Sequence, residues 1–219
     1  AVYGGFEGWR GGTGQQETLL NQRAPGINVT VINGATSRAG SPAYHVVVFG
    51  KGAAPTVGSR LDGFQITGGN AAGVSGVYHA YRGGGIYNWR SNPVIANCRI
   101  YGNTASVSGG GVANEGISGD AAAAQYINCV IDGNTATRNL DWQSNPARGG
   151  GGLFINLSTP QVIHCTITAN TVGLGAAVPG NPNHGLTSGG IFNVTVGTLP
   201  ATAGSVLSAI SYGNTGNVG

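Results

Sequence analysis

Short runs of alternating apolar and polar residues recur along this chain, as in Cys98-Arg99-Ile100-Tyr101, Cys129-Val130-Ile131-Asp132 and Cys165-Thr166-Ile167-Thr168. Such alternation sends successive side chains to opposite faces of a β-strand. Each run is followed by a turn and an Asn-Thr pair: Gly102-Asn103-Thr104, Gly133-Asn134-Thr135 and Ala169-Asn170-Thr171. A second unit accompanies them, as Gly83-Gly84-Gly85-Ile86-Tyr87-Asn88, Gly109-Gly110-Gly111-Val112-Ala113-Asn114, Gly151-Gly152-Leu153-Phe154-Ile155-Asn156 and Ser188-Gly189-Gly190-Ile191-Phe192-Asn193. Looser copies stand at 64–70 and 210–215. No stretch carries a long 3.6-residue apolar period, so almost no helix is expected beyond one turn within 16–23.

Self-similarity at this spacing marks a solenoid, in which each repeat buries its apolar face against its neighbours. The copies lack paired hairpin turns, which disfavours a sandwich or propeller and leaves an all-β fold, a parallel β-helix, as the expectation. Continuous alternation predicts Val94, Ala96, Cys98 and Ile100 inside, with Ile127, Cys129, Ile131, Ile163, Cys165 and Ile167. It sends Ile95, Asn97, Arg99 and Tyr101 outward. Residues 1–219 read as one domain, with irregular coils over 1–60 and regular repeats over 61–219. Surplus residues at 71–82, 136–148 and 172–187 predict irregular loops on one edge of the stack.

Composition narrows the setting. The 42 glycines follow no three-residue period, which excludes collagen. Charged residues are only 8% and the net charge of +3 is spread out, so no basic stripe for nucleic acid exists. No apolar run has the length of a membrane span. Low charge, scarce lysine and abundant Asn, Thr, Ser and Gly point to an extracellular or cell-surface protein. The start at Ala1 and the lack of methionine mark either a processed product, with removal of a secretory signal as the expected processing, or a fragment of something longer.

The opening Ala1-Val2-Tyr3-Gly4-Gly5-Phe6-Glu7-Gly8, then Glu17-Thr18, Gln22-Arg23, Tyr44-His45-Val46-Val47 and Leu61-Asp62-Gly63-Phe64-Gln65-Ile66-Thr67-Gly68-Gly69-Asn70, resemble bacterial secreted right-handed parallel β-helix repeat proteins. The paired repeat units are similar to those of chlamydial polymorphic outer-membrane proteins, which are surface adhesins. The resemblance implies a right-handed coil and no particular reaction.

Candidate chemistry is sparse. Asn103, Asn134, Asn170 and Asn214 share one repeat position, and Asn88, Asn114, Asn156 and Asn193 another. Both sets are expected to form structural amide ladders. Cys98, Cys129 and Cys165 share an inward position and read as buried thiols; no Cys-x-x-Cys pair or inward His suggests a metal. The sequons at Asn28, Asn156 and Asn193 read as chance, two of them expected to be inaccessible in a ladder. Glycoside cleavage requires paired carboxyls. Only Asp132 stands in an outward column, and a second carboxyl would come from a loop through Glu115, Asp120 or Asp141. The expectation is therefore a non-enzyme without cofactor. Arg99, Val130 and Asp132 also interrupt any flat threonine array for ice. Binding residues are expected on the loop edge, at Tyr78, His79, Tyr81, Trp89, Arg138 and Trp142. Val2, Tyr3 and Phe6 at one end and Ile210 and Tyr212 at the other are expected to meet in head-to-tail self-association, giving a fibre or adhesive layer. Glycans or cell-surface proteins are the alternative partners, and a polysaccharide lyase or hydrolase is the third reading.

Overall fold

The computed structural model describes residues 1–6, 19–50, 57–73, 80–117, 122–137, 149–173, 188–194, 206–207 and 209–215. They form four parallel sheets that wind around one core. The first sheet contains β1 (Val2–Tyr3), β4 (Val57–Asp62), β8 (Asn92–Ala96), β12 (Gln125–Ile127), β16 (Gln161–Ile163) and β20 (Val206–Leu207), in that order. The second contains β2 (Thr30–Asn33), β5 (Phe64–Thr67), β9 (Arg99–Tyr101), β13 (Val130–Asp132), β17 (Thr166–Thr168) and β21 (Ile210–Tyr212). The third is narrow, with β6 (Asn70–Ala71), β10 (Thr104–Ala105), β14 (Thr135–Ala136) and β18 (Thr171–Val172). The fourth contains β3 (Val47–Phe49), β7 (Ile86–Trp89), β11 (Val112–Glu115), β15 (Leu153–Asn156) and β19 (Ile191–Val194). From β4 onward the chain passes from first to second to third to fourth sheet and back, adding one parallel rung to each, whereas the first described coil goes from β2 directly to β3 of the fourth sheet. The only described helical segment is a 3-10 turn at Leu20–Gln22.

Stacking places like on like. Ile66, Ile100, Ile131 and Ile167 form a wholly buried column, each worth about 1.5–3 kcal/mol by burial of its side chain. Cys98, Cys129 and Cys165 are buried beside it as free thiols. The Cys129 N–H points at the Cys165 sulfur at 3.4 Å.

The amide ladder is built at Asn103, Asn134, Asn170 and Asn214. Each Nδ2 donates to the next Oδ1, at 3.1, 2.9 and 3.0 Å, and the same Oδ1 atoms accept backbone N–H bonds of 3.1, 3.0 and 2.9 Å. Beside it stands a glycine column. A Cβ at Gly85, Gly111, Gly152 or Gly190 would lie 2.8–3.0 Å from a ladder Nδ2, and one at Gly110, Gly151 or Gly189 2.3–2.4 Å from the carbonyl of the ladder's Thr. The two repeat units are therefore one device: Gly-Gly lets the fourth sheet begin against the Asn-Thr rungs.

Three expectations need correction. Ile95 points inward with no exposure, while Val94, Ile127 and Ile163 are half-buried on the other face. Alternation does not run through the corner between first and second sheets, because Gly63, Asn97, Asn128 and His164 adopt the left-handed conformation (φ 82°, 52°, 51° and 51°) and reset the phase. Asn156 is not a ladder partner of Asn88 and Asn114. Asn114 pairs with Ile155, and Asn156 with Glu115, because the run Gly149–Gly152 offers two alignments one residue apart. Asn193 does share the column of Ile155, but on the last described strand of its sheet it is exposed, not inaccessible.

Candidate functional site

Two regions of the described surface gather polar chemistry. The first lies on the outer face of the fourth sheet, where Val48, Tyr87, Ala113, Phe154 and Phe192 make one column and Trp89, Glu115 and Asn156 the next. The His45 ring stacks on Tyr87 at 4.9 Å, Tyr87 on Trp89 at 6.4 Å and Phe154 on Phe192 at 6.3 Å. Glu115 is thus on a strand, not on the loop expected for it. It is 1% exposed and forms an ion pair with Arg82, which is 3% exposed. The Arg82 guanidinium sits over the Tyr81 ring at 5.3 Å and the Phe154 ring at 5.0 Å, and Asn156 Nδ2 donates to Glu115 Oε1 at 3.3 Å. Burial, reinforced by the Glu115 carboxylate, pushes the Tyr87 phenol far above its ordinary pKa, so it stays protonated. A charged pair withdrawn from water this completely is an anchor for the chain entering at Tyr81 and Arg82, not a group open to a substrate. Trp89 and Tyr81, expected as binding residues, are half-buried parts of that anchor. Tyr78, His79, Arg138 and Trp142 lie outside the described residues, as do Asp120 and Asp141.

The second region is a groove of about 580 Å³ between the segment 19–26 and the outer face of the second sheet. At its edge Asp62, 3% exposed, accepts from Arg23 Nη2 (2.6 Å), Arg60 Nε and Nη2 (3.0 and 2.6 Å) and Asn97 Nδ2 (2.8 Å). Burial by itself would raise this carboxyl, but the hydrogen bonds from Asn97, Arg23 and Arg60 outweigh it and hold the pKa below the usual carboxylate value. Asn128 Nδ2 donates to Asn97 Oδ1 at 2.8 Å, continuing a corner ladder. Sequence reasoning missed this ladder, although the recurring Asn97-Cys98 and Asn128-Cys129 dipeptides were its signal. Further along the face, Arg99 grips Asp132 with Nε and Nη2 at 2.9 and 2.6 Å and lies over the Tyr101 ring at 4.4 Å. Asp132, the outward carboxylate, is thereby occupied.

The residues assigned to the stack ends divide. Val2, Ile210 and Tyr212 are exposed, at 58%, 62% and 59%. Tyr3 and Phe6 instead flank the Arg23 guanidinium at 5.0 and 6.0 Å. Among the described residues no His, Cys, Asp and Glu cluster could hold a metal ion, and no helix is long and apolar enough to cross a membrane.

The family model of the right handed beta helix region matches residues 43–195. The chain belongs to that family. No curated protein and no solved structure gives a significant match. The matched span of this right-handed β-helix runs from the segment before β3 to β19 and includes both the buried anchor and most of the groove's floor.

Proposed function

We propose that this β-helix is a non-enzymatic structural module of the extracellular space or cell surface, which extends by end-to-end association into a fibre or adhesive layer. The observation that carries this reading is the exposed last described rung, at Asn214 and β21. The Asn214 Oδ1 accepts from Asn170, as at every earlier rung. The strand edge of β21 beside it presents the exposed Ile210 and Tyr212. An equivalent coil, from further chain or from another copy, continues both sheet and ladder. The non-enzymatic part is supported by the described carboxylates: Glu115 is sealed with Arg82, Asp62 accepts from Arg23, Arg60 and Asn97, and Asp132 is gripped by Arg99.

Electron microscopy and sedimentation of the purified chain test this reading. Filaments or concentration-dependent oligomers are expected, and Asn214→Pro should suppress them while leaving the coil intact. A chain that stays monomeric at high concentration overturns the association. Cleavage of any polysaccharide in a screen overturns the non-enzymatic assignment.

A further inference from the structure

The groove beside the second sheet has chemistry that a purely structural role leaves unused. Asp62 serves two guanidiniums, Arg23 and Arg60, so among the described residues one positive charge at this edge lacks a counter-charge. Arg23 lines the groove with its side chain 9% exposed, and its Nε is buried with no hydrogen-bond acceptor. Such a donor is destabilising until an acceptor reaches it. The described lining contains no carboxylate; carboxamides of Asn97 and Asn128 stand at the corner, and Leu20 and Val130 add apolar surface that is 55% and 37% exposed. The volume of about 580 Å³ falls in the range of small-ligand sites. The backbone of β9 in the floor already pairs with β5 and β13, so a peptide cannot be captured here by strand addition.

We propose that this groove binds an organic carboxylate with an apolar body. The carboxylate accepts from Arg23 Nε near the uncompensated charge, the corner carboxamides complete its hydrogen bonds, and the body lies against Leu20 and Val130. The carboxylate belongs either to a free small acid or to the C-terminus of a peptide, and the two are separable by experiment. The full chain, labelled with ¹⁵N, is titrated with hexanoate, hexanamide, a short peptide ending in leucine carboxylate, and the same peptide as its C-terminal amide. Saturable shifts confined to residues of the groove are expected, with a Kd on the order of 1 mM or tighter for at least one acid. Its amide should bind about tenfold more weakly or worse. Binding of hexanoate identifies a small acid as sufficient, whereas binding of the peptide acid alone identifies a C-terminus. Leu20→Ser and Val130→Ser, at exposed positions that leave the fold intact, should weaken the acid, and Arg23→Gln should abolish its preference over the amide. Equal binding of acid and amide, or no saturable shift at about 10 mM, overturns the proposal. These outcomes are independent of filament formation, so this inference and the structural reading fail separately.

Discussion

The amide ladder makes a quantitative demand. The Asn134 side chain donates to Ile100 O and Asn170 Oδ1, both at 2.9 Å, and accepts from the Asn103 backbone N–H and Nδ2, both at 3.1 Å. All of this happens at zero exposure. In Asn134→Ala the Asn103 amide Nδ2 keeps its bonds to Ile66 O and Tyr101 O, but the Asn103 backbone N–H is left without a partner. Lost bonds at about 0.5–1.5 kcal/mol each, together with one buried orphan donor, give a destabilisation of about 3 kcal/mol. That is a large part of the roughly 5–15 kcal/mol that holds a typical domain folded. Asn214 makes the same kinds of bonds but is half-exposed at the stack edge, where water replaces them. Asn214→Ala should therefore cost about 1 kcal/mol or less. Urea unfolding followed by circular dichroism on both variants reads the difference directly. Equal costs, or an Asn134→Ala cost below about 1 kcal/mol, would refute the view that the ladder is a buried hydrogen-bonded column. Asn134→Asp sharpens the test: it retains acceptors for Asn103 but turns an oxygen toward Ile100 O and Asn170 Oδ1, so above the carboxyl pKa it should be at least as damaging as alanine.

Gly111→Ala places a methyl 2.7 Å from Gly152 O and 2.9 Å from Asn134 Nδ2, and should cost about 1–3 kcal/mol, whereas Gly133→Ala, with nothing within 4 Å, carries only the penalty of its left-handed φ; thermal melts compare them. Arg82→Leu or Glu115→Leu alone should destabilise by about 3–5 kcal/mol, because each strands the partner's buried charge. The double substitution should recover most of that loss, and a double-mutant cycle measures the coupling. The Asp62 pKa is depressed on folding, so its stabilisation is complete above the ordinary carboxyl value of 3.8 and disappears as pH falls through the lowered value. Hydrogen exchange of residues 19–28 should accelerate across that acid window in the wild type. In Asp62→Asn the exchange should be fast already at neutral pH and lack the acid step; a step that persists would assign it to another group.

The repeats alone determined the all-β architecture, the parallel stacking of Cys98 on Cys129 and of Ile100 on Ile131, and the Asn103 ladder. In an in-register solenoid, equal spacing along the chain becomes vertical contact in space, so repetition is itself the contact map. Two features defeated that logic. The left-handed corner at Asn97 reverses which of Val94 and Ile95 is buried, and a left-handed residue leaves no mark in an apolar–polar pattern when Asn or His occupies it. The four-glycine run 149–152 hides its own register, since glycine has no side chain to show which face it occupies; only pairing of Val112 with Leu153 decided that Asn156 joins Glu115. The ion pairs lay further out of reach. Arg82 with Glu115, and Arg23 with Asp62, join residues in different coils and at different repeat positions. They meet only because segments outside the repeating rungs fold back over the sheets. Periodicity specifies the rungs; the tertiary structure alone specifies what lies across them, and the groove belongs to that second class.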